Sequence, residues 1–379
     1  MNWEQPAAAL AAAVTHPASR WRGPVAGIPR HRFVPRWWHR GPDGWTRHDG
    51  RADPEQWQAA AYADRSVITS VAGQHADLAE DDDHPTGRPT SSATLPSLVV
   101  RMFQHARLGD DDELLDVGTG SGYGAALAAY RLGERQVTSV DVDPYLVDAA
   151  RERLAGICLS PRLETVDATG ELPGTFDRIV ATVAVRPIPA SWLAALRTGG
   201  RLVTTLAGTS LIVTAEKQPD GGAKGVIEWD RAGFMHARHD AGDYPPGVGE
   251  LLDAARDAVS DDVTISPYPV VDVANAWDLA SMLDLAAPGI EHHYSEDGEH
   301  RVALMAHPDG SWARASGRGD RLPTVYQGGP RRLWALLDDV RGYWLHHGEL
   351  PVRGSRVFIK PDGTTTLARG KWHVRLTPT

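Results

Sequence analysis

The sequence predicts an α/β fold: a doubly wound parallel sheet, followed by a smaller α+β domain. Three observations carry that expectation. An apolar run, Leu114-Leu115-Asp116-Val117, ends in glycines at 118, 120 and 122 and passes straight into an Ala-rich helical stretch, Gly124 to Leu132. Strand-like and helix-like stretches then alternate as far as Leu206, the order expected of parallel strands joined by crossover helices. Past the turn-rich segment Asp240 to Gly247 this gives way to short strands, Pro-Asp-Gly turns and one long amphipathic helix.

In chain order, Trp3 to Val14 reads as a short helix. The passage Arg30 to Trp38 interleaves Arg, His and Trp with prolines that exclude a regular helix. Such interleaving suits either base stacking or a cover over a substrate cleft. A helix from Gln56 and a short strand, Asp64 to Thr69, come next, then Asp81-Asp82-Asp83-His84, read as a solvated acidic loop. Pro89 to Ser97 reads as a hydroxyl-rich loop, with Ser97 or a neighbour capping the helix Leu98 to Leu108. Beyond the glycine run the spacing predicts strand Val137–Asp141, helix Pro144–Leu154, strand Leu163–Val166, strand Phe176–Thr182, helix Ser191–Leu196 and strand Arg201–Leu206. Leu211–Glu216 and Val226–Phe234 read as a hairpin about Pro219-Asp220-Gly221-Gly222. In the last third, Val263–Ile265, Arg301–Ala306 and Trp312–Ala315 read as strands. Arg331–His346 is a helix with Leu333, Leu336, Leu337, Val340, Tyr343 and Trp344 on one face, and Arg356–Ile359, Thr364–Ala368 and Trp372–Leu376 close the chain. The expected division is an N-terminal extension packing on the core (1–55), a central α/β domain (56–237) and an α+β accessory domain (238–379).

Composition narrows the function. The 379 residues carry a formal net charge of −10, which disfavours nucleic acid as a partner. A single cysteine, Cys158, excludes a disulfide framework and a Cys-rich zinc site, and its apolar context predicts a buried thiol. No secretory segment or membrane-length apolar run is read, so a cytoplasmic, monomeric enzyme is expected. The histidines show no metal-ligand spacing.

The chemistry lies at the strand ends. Glycines let the chain turn with positive φ and let a ligand approach the main chain. N–H groups at the start of the next helix suit an electron-rich ligand group, and Asp116 suits a cationic one. About twenty residues on, Asp141 ends the second strand, where a carboxylate accepts ribose hydroxyls; Asp167 ends the third. The spacing is GxGxG and no Gly-Lys-Ser/Thr phosphate loop is present, which points away from dinucleotides and nucleoside triphosphates. A nucleoside bearing a cationic amino-acid tail fits: S-adenosyl-L-methionine.

From Arg30 to Phe234 the chain resembles the protein-L-isoaspartate O-methyltransferases. The resemblance rests on Arg32-Phe33-Val34-Pro35, Tyr62-x-Asp64-Arg65, the Ser/Thr stretch before Pro96, Leu115 to Tyr123, Asp141, Asp167 with Gly170, Phe176 to Val180, Pro187-x-Pro189 and Gly199 to Val203, in family order and spacing. It implies a Rossmann-like class I methyltransferase domain and methyl transfer to a peptide carboxylate. It further implies that a hydroxyl two residues before the proline orients that carboxylate. This is Thr94, with Ser92 and Ser91 as companions. The implied cofactor contacts are Asp116, Gly118, Thr119, Gly120, Ser121, Gly122, Tyr123, Asp141, Val142, Asp167 and Ala168. Asp116 stands near the ammonium, Asp141 on the ribose and Asp167 on the adenine amino group. Val183, Ala184 and Val185 replace the family's Ala-rich turn beside the substrate.

The extra C-terminal residues set the chain apart from compact family members. Similar long forms resemble methyltransferases that tailor ribosomally made peptides of the lanthipeptide, lasso and graspetide pathways. The expected activity is methyl esterification of an aspartate in a constrained precursor peptide, leading to aspartimide and isoaspartate. Repair of isoaspartyl damage in proteins is the alternative. A cofactor-binding scaffold without turnover represents a third class.

Overall fold

Three sheets organise the computed structural model of the chain, which describes residues 2–42, 44–242, 249–349 and 352–378. The first 93 residues contain α1 (Glu4–Val14), α2 (Arg22–Gly27), β1 (Arg36–Gly41), β2 (Gly44–Asp49), α3 (Pro54–Ala61), β3 (Val67–Val71), β4 (Gln74–His75) and β5 (Pro89–Ala93). The strands make one sheet in the order β2-β1-β3-β4, with β5 also on β3. Trp37 and Trp38 point to opposite faces, as successive strand residues must, and both are buried. Trp37 packs with Val34, Ala60 and Val67, and Trp38 with Trp45, Val71 and Ala76. The passage whose prolines exclude a regular helix thus runs into a strand. The expected boundary at 55 is corrected too, because Trp38 pairs with Ile68 and one sheet spans it.

The central unit follows: α4 (Pro96–Ala106), β6 (Leu114–Val117), α5 (Tyr123–Leu132), β7 (Val137–Asp141), α6 (Pro144–Ala155), β8 (Arg162–Thr165), β9 (Phe176–Val185), α7 (Ala190–Ala195), β10 (Leu196–Leu206), β11 (Leu211–Lys217) and β12 (Ala223–Arg231). Strands β8, β7, β6, β9 and β10 are parallel, and β11 and β12 continue antiparallel. Leu114, Leu115 and Val117 are buried on both faces of the sheet, as helix-covered parallel strands require. Helix α6 starts where Pro144 follows Asp143, whose carboxylate accepts the Tyr145 N–H at 3.0 Å. The chain runs from β6 outward to β8 and returns to β9 on the other side of β6. That reversal opens a crevice at the carboxyl ends of β6 and β9, the place where such sheets bind ligands. Cys158, expected to be buried, is exposed on the turn after α6, where it has φ +60°.

The third unit holds α8 (Gly249–Asp257), β13 (Asp262–Ile265), α9 (Trp277–Ala286), β14 (Glu291–Asp297), β15 (His300–Ala306), β16 (Trp312–Arg318), β17 (Thr324–Gly328) and α10 (Leu333–His346). Its sheet runs β13-β17-β16-β15-β14, entirely antiparallel. Leu333, Trp334 and Leu337 of α10 pack with Leu279 and Leu283 of α9 over Ala313 and Val325. The last strands, β18 (Arg356–Ile359), β19 (Thr365–Arg369) and β20 (Trp372–Leu376), leave this unit. Strand β18 pairs antiparallel with β12, so the central sheet grows to ten strands. The expected accessory domain 238–379 is therefore corrected: its closing strands belong to the central sheet, where Val357 and Leu367 enter the same apolar cluster as Leu115 and Ile179. Residues 243–247 of the expected linker lie outside the described residues.

Candidate methyl-transfer site

The crevice at the β6/β9 ends is a cavity of about 330 Å³. Its floor is the glycine loop. Gly118 and Gly120 have φ of +97° and +50°, which side chains rarely adopt. A Cβ on Gly118 would come within 3.0 Å of Thr182 Oγ1 and Val183 Cγ1, so this glycine keeps the cavity open. Gly122 has another task. It does not line the cavity, and a Cβ there would meet that of Ala150 at 2.9 Å, so it lets α5 pack on α6.

Asp116 lies under the loop and is 2% exposed. Its carboxylate accepts from Ser139 Oγ at 2.8 Å, and Ser139 Oγ also lies 2.7 Å from Thr119 Oγ1. No cation pairs with Asp116 among the described residues. Burial, aided by the Asp141 charge, pushes its carboxyl up to about 7 against the Ser139 hydrogen bond. Asp141, at the end of β7, accepts the Gly120 N–H at 2.8 Å and the Asp143 N–H at 3.2 Å. Burial raises its pKa, while those bonds and the Arg238 charge oppose the rise. Val142, Thr119, Ser121, Tyr123 and Ala168 also line the cavity. Asp167 does not: its carboxylate accepts from Thr169 N and Oγ1 at 2.8 and 2.7 Å, with His239 Nδ1 at 3.3 Å. Those bonds outweigh the effect of burial and hold its carboxyl below the usual range. Its neighbours Val166 and Ala168 face the cavity in its place.

The opposite rim is the hydroxyl-rich stretch. Part of it is strand β5 rather than loop, paired with β3. Helix α4 has no side-chain cap of its own; Asp64 accepts the Ser97 N–H at 2.9 Å, and Ser66 Oγ accepts the Leu95 N–H at 3.1 Å. The hydroxyls are therefore not used as caps. Ser91 also lines the cavity, but it is buried and its Oγ accepts from Thr69 Oγ1 at 3.1 Å. Ser92 and Thr94 both line the cavity, and among the described residues neither hydroxyl has a hydrogen-bond partner. Of the three expected substrate positions on β9, Val183 lines the cavity. Val185 does not, because its side chain enters the core with Ile188 and Trp192. Ala184 is 3% exposed and acts through its backbone.

That backbone explains a wall that the sequence reading missed. After β12 the chain returns to the crevice, where Ala184 N donates to Met235 O and Ala237 N to Ala184 O, each at 2.8 Å. Residues 233–238 thereby close the side beside Thr182, bringing His236 and Arg238 to the cavity. Two ion pairs tie the third unit to segments that border the cavity, one just before Pro89 and one just after β9. Arg88 meets Glu291 of β14 at 2.7 Å, and Arg186 meets Asp284 of α9 at 2.6 Å. The described residues hold no metal-ligand cluster.

Residues 55–228 match the family described as protein-L-isoaspartate(D-aspartate) O-methyltransferase (PCMT). The protein-L-isoaspartate O-methyltransferase of Paracoccus denitrificans is 33% identical over 175 residues, 44% of this chain and 77% of its own length. That of Vibrio vulnificus is 31% identical over 186 residues, 48% of this chain and 86% of its own. The chain belongs to the protein-L-isoaspartate O-methyltransferase family. It is an S-adenosylmethionine-dependent carboxyl O-methyltransferase. The residues fit that cofactor: Gly118 leaves room where a side chain would block, and Asp116 is a buried carboxyl with a hydroxyl neighbour and, among the described residues, no cation paired to it. Among the described residues, no helix is long and apolar enough to cross a membrane.

When bound, S-adenosylmethionine supplies a methyl group on a sulfonium, already activated for transfer. The acceptor carboxylate, with a reference pKa near 4, is ionised at neutral pH and needs no general base. What the protein adds is alignment and exclusion of water, which can supply roughly 7–11 kcal/mol. The glycine loop and Asp141 would fix the donor. The rim hydroxyls and the 233–238 wall would fix the acceptor. A neutral hydroxyl orients a carboxylate while leaving its charge available for attack.

Proposed function

We propose that the enzyme methylates the free carboxylate of an isoaspartyl residue in a peptide or protein. The observation that carries this reading is the pair of unpartnered hydroxyls, Ser92 and Thr94, facing the glycine loop across one cavity. They supply neutral hydrogen-bond donors at the acceptor side, with Thr94 on the carboxylate and Ser92 beside it. On the donor side, Asp116 receives the ammonium and Asp141 the ribose hydroxyls. The relatives' names give the substrate class. Esterification turns the carboxylate into a good acyl group. The next backbone nitrogen attacks its carbonyl carbon, the C–N bond forms as the C–O bond breaks, and methanol leaves with the nitrogen's proton. The product is a succinimide.

A second reading is favoured by the ion pairs Arg88–Glu291 and Arg186–Asp284, which set an additional folded unit against the rim. That unit would select a dedicated peptide and present an ordinary aspartate held in a constrained ring. One experiment separates the two. The enzyme and S-adenosylmethionine are given an isoaspartyl peptide and, in parallel, cyclic aspartyl peptides encoded near its gene, and products are read by mass spectrometry. Methyl gain on the isoaspartyl peptide supports the first reading. Gain and later methanol loss confined to a cyclic peptide replaces it with the second.

A further inference from the structure

Arg30 is a fully buried guanidinium with no ion-pair partner among the described residues. It lies in the passage before β1, and its charge is met by backbone carbonyls. Nη1 donates to Ala61 O at 2.6 Å and Ala63 O at 3.3 Å. Nη2 donates to Arg65 O at 3.1 Å and to Ala93 O and Thr94 O at 3.2 Å each. Its Nε has no partner. The guanidinium sits 5.4 Å from the ring of Tyr123, whose buried hydroxyl is also unpartnered and whose side chain lines the cavity. The planar guanidinium is held by five carbonyls at once, and Asp64, the carboxylate that acts on it through space, is itself engaged by the Ser97 N–H.

We propose that Arg30 is a positioning residue for the acceptor: it holds Thr94 in place and supplies the positive field that makes the cavity select an ionised carboxylate. This rests on the isoaspartyl reading above. Two bonds to consecutive carbonyls, Ala93 and Thr94, fix the peptide that carries the Thr94 hydroxyl. One residue's span from that bond places the hydroxyl within about 7 Å of the guanidinium. A carboxylate bound to it would feel the charge through protein rather than bulk water. At that range the attraction changes a binding constant by about tenfold or more. Arg238, which lines the cavity itself, ends the 233–238 wall on the donor side, where its charge favours ionised Asp141 and Asp143. The acceptor side thus has its own cation behind the wall, out of contact with the attacking oxygen and unable to blunt it.

The test compares an isoaspartyl peptide with its neutral isoasparaginyl analogue, used as a competitive inhibitor, in the native enzyme and in Arg30→Met and Arg30→Lys. The native enzyme should bind the charged peptide about tenfold or more tightly than the neutral one. Arg30→Met should abolish that preference by raising KM for the charged peptide with little change in the inhibition constant of the neutral one. Arg30→Lys should restore part of the preference. Binding of S-adenosylhomocysteine to each variant reports folding. Equal affinity of the native enzyme for both peptides overturns the inference without requiring any variant to fold. So does a Met variant that loses both peptides in equal measure, the mark of a structural role. Failure of the native enzyme to methylate the isoaspartyl peptide overturns the substrate reading and this inference with it.

Discussion

Asp116 gives the sharpest prediction. Its carboxyl is buried beneath the glycine loop, with one serine hydroxyl and no cation, and its pKa is pushed up to about 7. If it receives the cofactor's ammonium, the carboxylate must be ionised in the complex. At pH 5.5 the free enzyme holds it neutral, and each pH unit below the pKa costs about 1.4 kcal/mol, or tenfold in affinity. The dissociation constant for S-adenosylhomocysteine should therefore be about 20-fold higher at pH 5.5 than at 7.5. Titration calorimetry at half-unit steps measures it. His236 also lines the cavity, so Asp116→Asn is the control: it keeps the Ser139 hydrogen bond, binds more weakly at pH 7.5, and should lose most of the slope. A flat native profile, or an unchanged slope in the Asn variant, refutes the assignment. The same shift governs stability of the free enzyme with a fixed sign. The folded pKa lies above the unfolded value, so the folded state keeps a proton that the unfolded chain has released. This contribution is full below about pH 4 and is lost as pH rises to about 7, some 4 kcal/mol in all. Chemical unfolding of the native protein and the Asn variant across that window should diverge accordingly.

The rim hydroxyls should separate on mutation. Thr94→Ala should lower kcat by about tenfold to a hundredfold, since a hydrogen bond to a charged group is worth roughly 1.5–3 kcal/mol, and Thr94→Ser should keep most activity. Ser91→Ala should leave kcat near native and cost about 1 kcal/mol in denaturant unfolding, because the Ser91 hydroxyl, although its residue lines the cavity, is already engaged with Thr69. Asp141→Ala should weaken S-adenosylhomocysteine binding by about tenfold or more in calorimetry, losing a ligand contact and the clamp on Gly120 together. The glycines should divide in the same way. Gly118→Ala should block cofactor binding with the fold retained. Gly122→Ala should cost about 1–3 kcal/mol in unfolding through its clash with Ala150.

The parts of the site that local pattern made legible are those a short window contains. A strand, a glycine turn and a helix lie within Leu114 to Leu132, and the strand-end acid Asp141 follows by simple counting. The parts that stayed hidden depend on distant pairing. Arg30 stands in a passage with no period, and only its burial against five carbonyls marks it. The 233–238 wall exists because Ala184 pairs with its backbone, which nothing in those six residues announces. Asp167 occupies the expected strand end, yet Thr169 and His239 turn its carboxylate away. A strand-end acid locates a ligand site in sequence, but its neighbours decide whether the oxygens face it.

The C-terminal strands carry a related lesson about the extra unit. Strand β18 adds to β12 across more than a hundred residues, and β12 runs directly into the wall of the cavity. On the other side, α9 and β14 reach the rim through Asp284 and Glu291. The added chain is therefore anchored to the catalytic sheet at one end and, in its middle, to segments bordering the cavity. Of the two ion pairs, Arg186–Asp284 is the more buried, with each side chain 16% exposed, and Arg186 also donates to the Asp284 and Leu285 carbonyls. Arg186 directly follows Val185, the last residue of the strand that carries Val183. Breaking this contact by Arg186→Gln should leave S-adenosylhomocysteine affinity nearly unchanged. It should raise KM for the peptide, because the disturbance lies on the acceptor side of β9. A variant that weakens cofactor binding and spares peptide KM would show that the added unit braces the cofactor crevice and does not shape the acceptor rim.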